Sequence, residues 1–217
     1  LGVENHYSTG NALVAMYAKC GCLRDAQEVF NKLTLSDSIS WTALMVGYSE
    51  YGYDEKSLSL FDEMESKGID LDAFIFACAL KACGIVRDIE QCEEIHAEIS
   101  RQGLLRTNVQ LGSTLLDVYA KLGFLDKAQD VFEMLPVKDV VSWTSLIGGY
   151  ADHGYGEEAL NFLEEMKYTG ILPNAATFVC SLKACGAIGS SSKGQEIHLE
   201  VCRQKLLSKN IRVGNAL

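Results

Sequence analysis

The chain has 217 residues, 48% of them hydrophobic, and a formal net charge of -10 from 29 acidic and 19 basic side chains. That is enough apolar material for a sizeable core, but no run of eighteen apolar residues could span a bilayer. The acidic balance opposes nucleic-acid binding through a broad basic surface.

Taken in chain order, positions 1–6 end a unit that starts earlier, and the segment GNALVAMYAKCGCLRDAQEVF from Gly10 returns as GSTLLDVYAKLGFLDKAQDVF from Gly112. SWTALMVGY from Ser40 returns as SWTSLIGGY from Ser142, and FACALKACG from Phe76 as FVCSLKACG from Phe178, each 102 residues later. The closing GNAL from Gly214 copies Gly10 to Leu13 at twice that offset. Self-similarity at a fixed period is the mark of stacked supersecondary units, none of which buries its apolar face alone.

Aromatic and glycine landmarks divide the period into segments 7–37, 38–72, 73–108, 109–139, 140–174 and 175–210, with 211–217 opening another. Each carries two helical patterns. In 38–72, Trp41, Leu44 and Tyr48 recur at helical spacing, Gly52 breaks the run, and Leu58, Phe61 and Met64 start a second stripe that ends at Gly68. Ser40 and Ser142 are placed as N-caps, and Gly68, Gly103 and Gly170 suit the left-handed C-terminal position. The run GSSSKG at 189–194 reads as an inter-helix loop. With no linker and only Pro136 and Pro173 at hand-over points, the chain is one elongated domain. The expected fold is all-α, a right-handed superhelical solenoid of helix-turn-helix hairpins. Because unit 211–217 does not finish, the chain is expected to belong to a longer protein that carries any targeting segment elsewhere.

Acidic residues crowd the second helix of each hairpin, among them Asp25, Glu28, Asp62, Glu63, Asp130, Glu133, Glu157 and Glu164, whereas first helices are charge-poor. This segregation places negative charge mainly on the outer, solvated side. The eight cysteines fall inside helical repeats at spacings such as Cys78 to Cys83, which point two thiols to different faces. Reduced thiols in an intracellular compartment follow.

Unit lengths of 31, 35 and 36 residues, with the landmarks YAKCG from Tyr17, DAQEVF from Asp25, SWTALMVGY, LFDEMESKGI from Leu60, LKACG from Leu80 and EEIH from Glu93, resemble the pentatricopeptide repeat family. The alternation is similar to its PLS subclass, with 7–37 and 109–139 as short, 38–72 and 140–174 as P, and 73–108 and 175–210 as long repeats. The resemblance implies sequence-specific binding of single-stranded RNA, about one base per repeat, as the specificity module of a plant organellar C-to-U editing factor in plastid or mitochondrion. It implies no catalysis by this chain and no cofactor.

In that family two side chains per repeat read the base, which here implies the pairs Asn11 with Asp37, Thr42 with Asp72, Ser113 with Asp139 and Thr144 with Asn174. The family's pairing rules turn these into U-G-x-G-A-x, running 5′ to 3′ with the chain. The long repeats would pair Ala77 with Asn108 and Val179 with Asn210, whose apolar members read no base. They offer instead a surface for multiple organellar RNA editing factor proteins. Ile39 and Val141 match the residue that packs on base planes; Phe74 is a weaker match, and Ser8 and Gln110 depart from it. Lys19 and Lys121 match phosphate-facing lysines, whereas Glu50 and Asp152 at the equivalent place would repel phosphate. Capping alone also explains polar residues at helix starts and at repeat ends. The alternative from another class is a helical scaffold for partner proteins with little RNA affinity.

His96-Ala97-Glu98 and His198-Leu199-Glu200 spell a deaminase fragment, yet no P-C-x-x-C follows to supply thiolate ligands, so both are assigned a structural role. Cys20-Gly21-Cys22 has no partners for zinc. His6 and His153 read as surface or loop residues.

Overall fold

The structure is a computed structural model that describes residues 3–33 and 38–204, with side chains from residue 9 onward. Asp37, Asn210, the side chain of Ser8 and the segment 211–217 lie outside the described residues. Among the described residues the chain is all helical, and no helix is long and apolar enough to cross a membrane. It divides into two compact units, 1–102 and 103–217.

The first unit contains α1 (Val3–Lys19), α2 (Leu23–Lys32), α3 (Ser38–Glu50), α4 (Asp54–Ser66), α5 (Ala73–Val86) and α6 (Ile89–Arg101). Successive pairs form hairpins. First helices pack side by side as α1 on α3 and α3 on α5, and each also packs on its own second helix. Trp41 of α3 is 1% exposed and stands edge-on to Phe30 of α2, ring centroids 4.6 Å apart. An aromatic anchor of this kind, burying well over 100 Å², ties one hairpin to the next. The second unit contains α7 (Leu104–Thr107), α8 (Val109–Leu122), α9 (Leu125–Met134), α10 (Val140–Asp152), α11 (Gly156–Tyr168), α12 (Ala175–Ile188) and α13 (Ser191–Arg203). It repeats the scheme, with α8, α10 and α12 side by side and Trp143 against Phe132 at the same 4.6 Å.

Close approach of first helices depends on small residues. A Cβ at Gly47 would stand 2.8 Å from the Ala18 Cβ, and one at Gly149 only 2.6 Å from the Ala120 Cβ. Turns behave as their glycines require: Gly52, Gly68, Gly103 and Gly170 all have φ between +64° and +83°, a region that other residues enter at a cost.

Two expectations fail locally. Ser142 is not the N-cap of α10. Asp139 is, because its Oδ1 accepts from the N–H groups of Val141 and Ser142 at 3.0 and 2.9 Å. Ser142, buried three residues inside, takes the Asp139 N–H instead and completes a capping box. Ser40 likewise is the third residue of α3 and fully buried. A carboxylate that reaches two orphan amides wins the cap and leaves the hydroxyl the inner half of the motif. The run at 189–194 is mostly helix rather than loop. Gly189, at φ +70°, ends α12, Ser190 is already the N-cap, and α13 starts at Ser191 because buried Ile197 and Val201 supply its apolar stripe.

Candidate functional site

Among the described residues each unit carries a groove on its first helices, and these two grooves are built from equivalent positions. In the first unit a groove of about 690 Å³ is lined by Ala15 and Lys19 of α1, by Ile39, Thr42, Val46 and Glu50 of α3, and by Asp72 and Phe74 at the start of α5. In the second, a groove of about 340 Å³ is lined by Asp117 and Lys121 of α8, by Val141, Thr144, Gly148 and Asp152 of α10, and by Asn174 and Ala176 at the start of α12. Residue by residue these are 102 positions apart.

The expected readers at 38–72 and 140–174 therefore come together. Thr42 and Thr144 are half-buried on the groove side of α3 and α10, and Asp72 and Asn174 are exposed at its rim. Ile39 and Val141 stand beside them, 65% and 50% exposed, an unusual setting for β-branched apolar side chains and one suited to packing on a flat ligand. Phe74, 56% exposed, joins the first groove.

Asp72 and Asn174 also cap the following helix. The Asp72 Oδ1 accepts from the N–H groups of Phe74 and Ile75 at 3.0 and 2.9 Å. The Asn174 Oδ1 accepts from the Thr177 N–H at 2.9 Å. Capping and ligand reading are thus compatible, because the cap engages one side-chain atom and leaves the other, Oδ2 of Asp72 or Nδ2 of Asn174, without a hydrogen bond among the described residues.

The other two expected pairs sit differently. Asn11 and Ser113 are 9% and 3% exposed, packed into the helix layer. The Ser113 Oγ makes no hydrogen bond among the described residues. Asp139 is half-buried and caps α10; Asp37 lies outside the described residues. In the long segments, Ala77 and Val179 are half-buried at the equivalent of the threonine position, and Asn108 caps α8 through the Leu111 N–H at 2.9 Å.

Charge around the grooves follows contacts between helices, and here sequence reasoning missed residues. Lys121 is paired with Asp117 at 2.6 Å, and Asp117 also accepts from the Ser145 hydroxyl at 3.1 Å. Lys19 makes no ion pair among the described residues, and the place of Asp117 is taken by Ala15. Asp152 is neutralised by Lys183 of α12 at 2.6 Å, whereas Glu50 has no such partner among the described residues. The i to i+4 spacing of Asp117 and Lys121 could have been found in the sequence; the Asp152 to Lys183 pair, between residues 31 apart, could not.

Of the acidic residues on the second helices, Asp25, Glu28, Asp62, Glu63, Asp130, Glu133, Glu157 and Glu164 are exposed, whereas Asp54 at the start of α4 is 5% exposed; none of these lines the two grooves. All eight cysteines are free thiols. Burial pushes the Cys180 thiol at the second groove above its ordinary value, with the Asp152 carboxylate adding to the shift. Among the described residues no three His, Cys, Asp or Glu side chains assemble to hold a metal, and His96 and His198 stand on α6 and α13 without such a cluster. His153 is exposed at the end of α10, its Nδ1 2.8 Å from the Gly149 carbonyl oxygen.

Comparison with known proteins bears on the repeat and its fold. A profile of the PPR repeat family matches residues 138–187, and a profile of the single PPR repeat matches 11–37, 39–69 and 113–140. A chloroplastic pentatricopeptide repeat-containing protein of Arabidopsis thaliana is 36% identical over 215 residues, 99% of this chain and 34% of that protein. A mitochondrial one from the same plant is 34% identical over 198 residues, 91% of this chain and 19% of that protein. The chain spans about a third or less of the curated relatives it matches. The maize pentatricopeptide repeat protein PPR10, solved in complex with an 18-nt psaJ RNA element, shares the fold at a TM-score of 0.68 and 17% identity, over 88% of this chain and 29% of that one. The chain belongs to the pentatricopeptide repeat family.

Proposed function

We propose that this chain binds single-stranded RNA in its first-helix grooves, each reader pair inspecting one base, as the specificity module of an organellar C-to-U editing factor of the PLS type. The observation that carries this is the pair of grooves in which a threonine, a capping Asp or Asn with one side-chain atom to spare, and an exposed Ile or Val recur at a constant offset.

The chemistry of the caps supports the base assignments. In the first groove the cap engages the Asp72 Oδ1 and leaves Oδ2, an acceptor suited to the N1–H and N2–H₂ donors of guanine. In the second it engages the Asn174 Oδ1 and leaves the Nδ2 amide, a donor suited to N1 of adenine. Ile39 and Val141 would cover the base planes. Ser113 with Asp139 and Asn11 with Asp37 complete U-G-x-G-A-x but contribute less, since Asn11 and Ser113 must first be uncovered. Lys19 contacts phosphate, and Lys121 does so once it exchanges Asp117 for it. The long segments around Ala77 and Val179 space the array and dock multiple organellar RNA editing factor proteins. Deamination is supplied by another domain or protein. Relatives named chloroplastic and mitochondrial support an organellar location.

Titration of short RNAs by fluorescence anisotropy at low salt tests this. An RNA containing U-G-x-G-A is expected to bind more tightly than permuted sequences, and Thr144→Ala to weaken the adenine-bearing RNA by about 1–3 kcal/mol. The second reading, a protein-binding scaffold, is favoured by one feature: the first groove sets Lys19 against the carboxylates of Glu50, Asp70 and Asp72. Equal affinity for every sequence, or none at micromolar protein, would establish it instead.

A further inference from the structure

We propose that Thr177 is a positioning residue that sets the hydrogen-bond polarity of the second groove, making it select adenine over guanine; this rests on the base-reading role of Thr144 and Asn174 proposed above. Thr177 is the third residue of α12 and fully buried. Its Oγ lies 2.7 Å from the Thr144 Oγ, accepts from the Asn174 N–H at 3.2 Å and lies 3.1 Å from the Asn174 Oδ1. The Thr144 Oγ in turn lies 2.7 Å from the Val140 carbonyl oxygen. One hydroxyl therefore touches both readers.

Proton bookkeeping fixes what the readers present. A threonine hydroxyl carries one proton, so Thr144 and Thr177 have two between them, and the 2.7 Å separation of their oxygens demands that one lie on that contact. Either Thr177 donates to Thr144 and Thr144 to the Val140 carbonyl, or Thr144 donates to Thr177 and Thr177 to the Asn174 Oδ1. In both arrangements the Thr144 proton is spent inside the protein, and Thr144 meets a ligand as an acceptor. The Thr177 N–H, at 2.9 Å, holds the Asn174 Oδ1 inward, which leaves Nδ2 as a donor. An acceptor beside a donor complements N6–H₂ and N1 of adenine; cytosine shares that polarity, whereas guanine and uracil present the reverse.

The first groove lacks the device. The position equivalent to Thr177 is Ile75, 1% exposed, and the Thr42 hydroxyl bonds only the Ser38 carbonyl, at 2.6 Å, among the described residues. The Thr42 proton thus has one internal acceptor where that of Thr144 has two, and it leaves that one for a guanine O6, where the remaining Asp72 oxygen takes the guanine N1–H.

The test uses the 217-residue chain and RNAs that differ only at the fifth nucleotide of U-G-x-G-A-x, read by anisotropy, with thermal melting as the folding control. Thr177→Val, which keeps the shape and removes the hydroxyl, should lower the adenine-over-guanine affinity ratio about fivefold, the worth of one neutral hydrogen bond. Thr177→Ser should restore it. Asn174→Asp is the control for base reading itself. If that control inverts the ratio while Thr177→Val leaves it unchanged, or lowers affinity for all RNAs equally, the positioning role is wrong and base reading stands. If neither variant alters the ratio, or no RNA binds, base reading fails and takes this proposal with it. Should Thr177→Val not fold, Ile75→Thr decides the matter: it should raise adenine over guanine at the second nucleotide, and an unchanged ratio there overturns the proposal.

Discussion

The grooves of the first and second units are lined by equivalent positions and differ in several of their polar contacts. Gly47 and Gly149 bring first helices equally close, and Trp41 and Trp143 meet their phenylalanines at the same 4.6 Å. Yet Lys19 has Ala15 where Lys121 is held by Asp117, Glu50 has no ion-pair partner among the described residues where Asp152 is held by Lys183, and Ile75 fills the place of Thr177. Packing between helices tolerates little change in shape, so the copies keep their core. A polar contact at a groove rim is worth about 1 kcal/mol or less, so the copies are free to differ there, and that difference makes one groove unlike the other to a ligand.

The strongest way to break the comparison is to truncate its shared anchor. Trp41→Ala and Trp143→Ala should each cost about 3–5 kcal/mol in thermal or urea unfolding. Lys67 lies 4.6 Å from the Trp41 ring centroid, which adds about 0.5–1 kcal/mol to the loss in the first unit. A mild effect in one unit alone would mean the two cores are not equivalent.

Exchanging the caps comes next. Asp72→Asn should move the second nucleotide's preference from guanine toward adenine, and Asn174→Asp the fifth nucleotide's from adenine toward guanine, each by about 1–3 kcal/mol. Both residues cap helices well, so melting temperature should barely change; a large drop would show that the exchange acts on folding.

A smaller effect is expected from charge. Asp117→Ala gives Lys121 the surroundings of Lys19 and should steepen the salt dependence of RNA binding by about 0.7 log units per tenfold salt. Ala15→Asp should do the reverse in the first unit. An unchanged slope for both would remove the two lysines from the phosphate path.

Thiol chemistry should distinguish the helix faces last. Cys20, Cys22 and Cys202 are exposed and should react with a thiol reagent at neutral pH, while Cys83, buried and pushed up from 9.0 to about 12, should stay protected until the chain unfolds. Because its folded value is the higher one, the Cys83 contribution to stability is complete below pH 9.0 and fades as pH rises toward about 12. Rapid labelling of Cys83 in the native chain would show that the first unit opens locally.

Much of this was legible from residue order. The 102-residue offset is plain from comparing the chain with itself, and the apolar stripes around Trp41 and Trp143 and the left-handed glycines at 68, 103 and 170 are local signals, carried by neighbours within about one helical turn. Thr42 with Asp72 and Thr144 with Asn174 were singled out through the resemblance to the pentatricopeptide repeat family, because capping alone would explain polar residues at those places. Ser40 and Ser142 were misplaced because a serine and an aspartate within one turn both suit a cap, and only geometry shows which oxygen reaches the amides.

By itself the order of amino acids determined an all-helical repeat protein, its hairpins, and where Thr42, Asp72, Thr144 and Asn174 stand along each helix, since these depend on periodicity and on contacts within a turn. Tertiary structure alone decided the burial of Asn11 and Ser113, the pairing of Asp152 with Lys183, and the chain of hydroxyls from Thr144 through Thr177 to Asn174. Contacts between different helices depend on how those helices are rotated and spaced, and packing sets both.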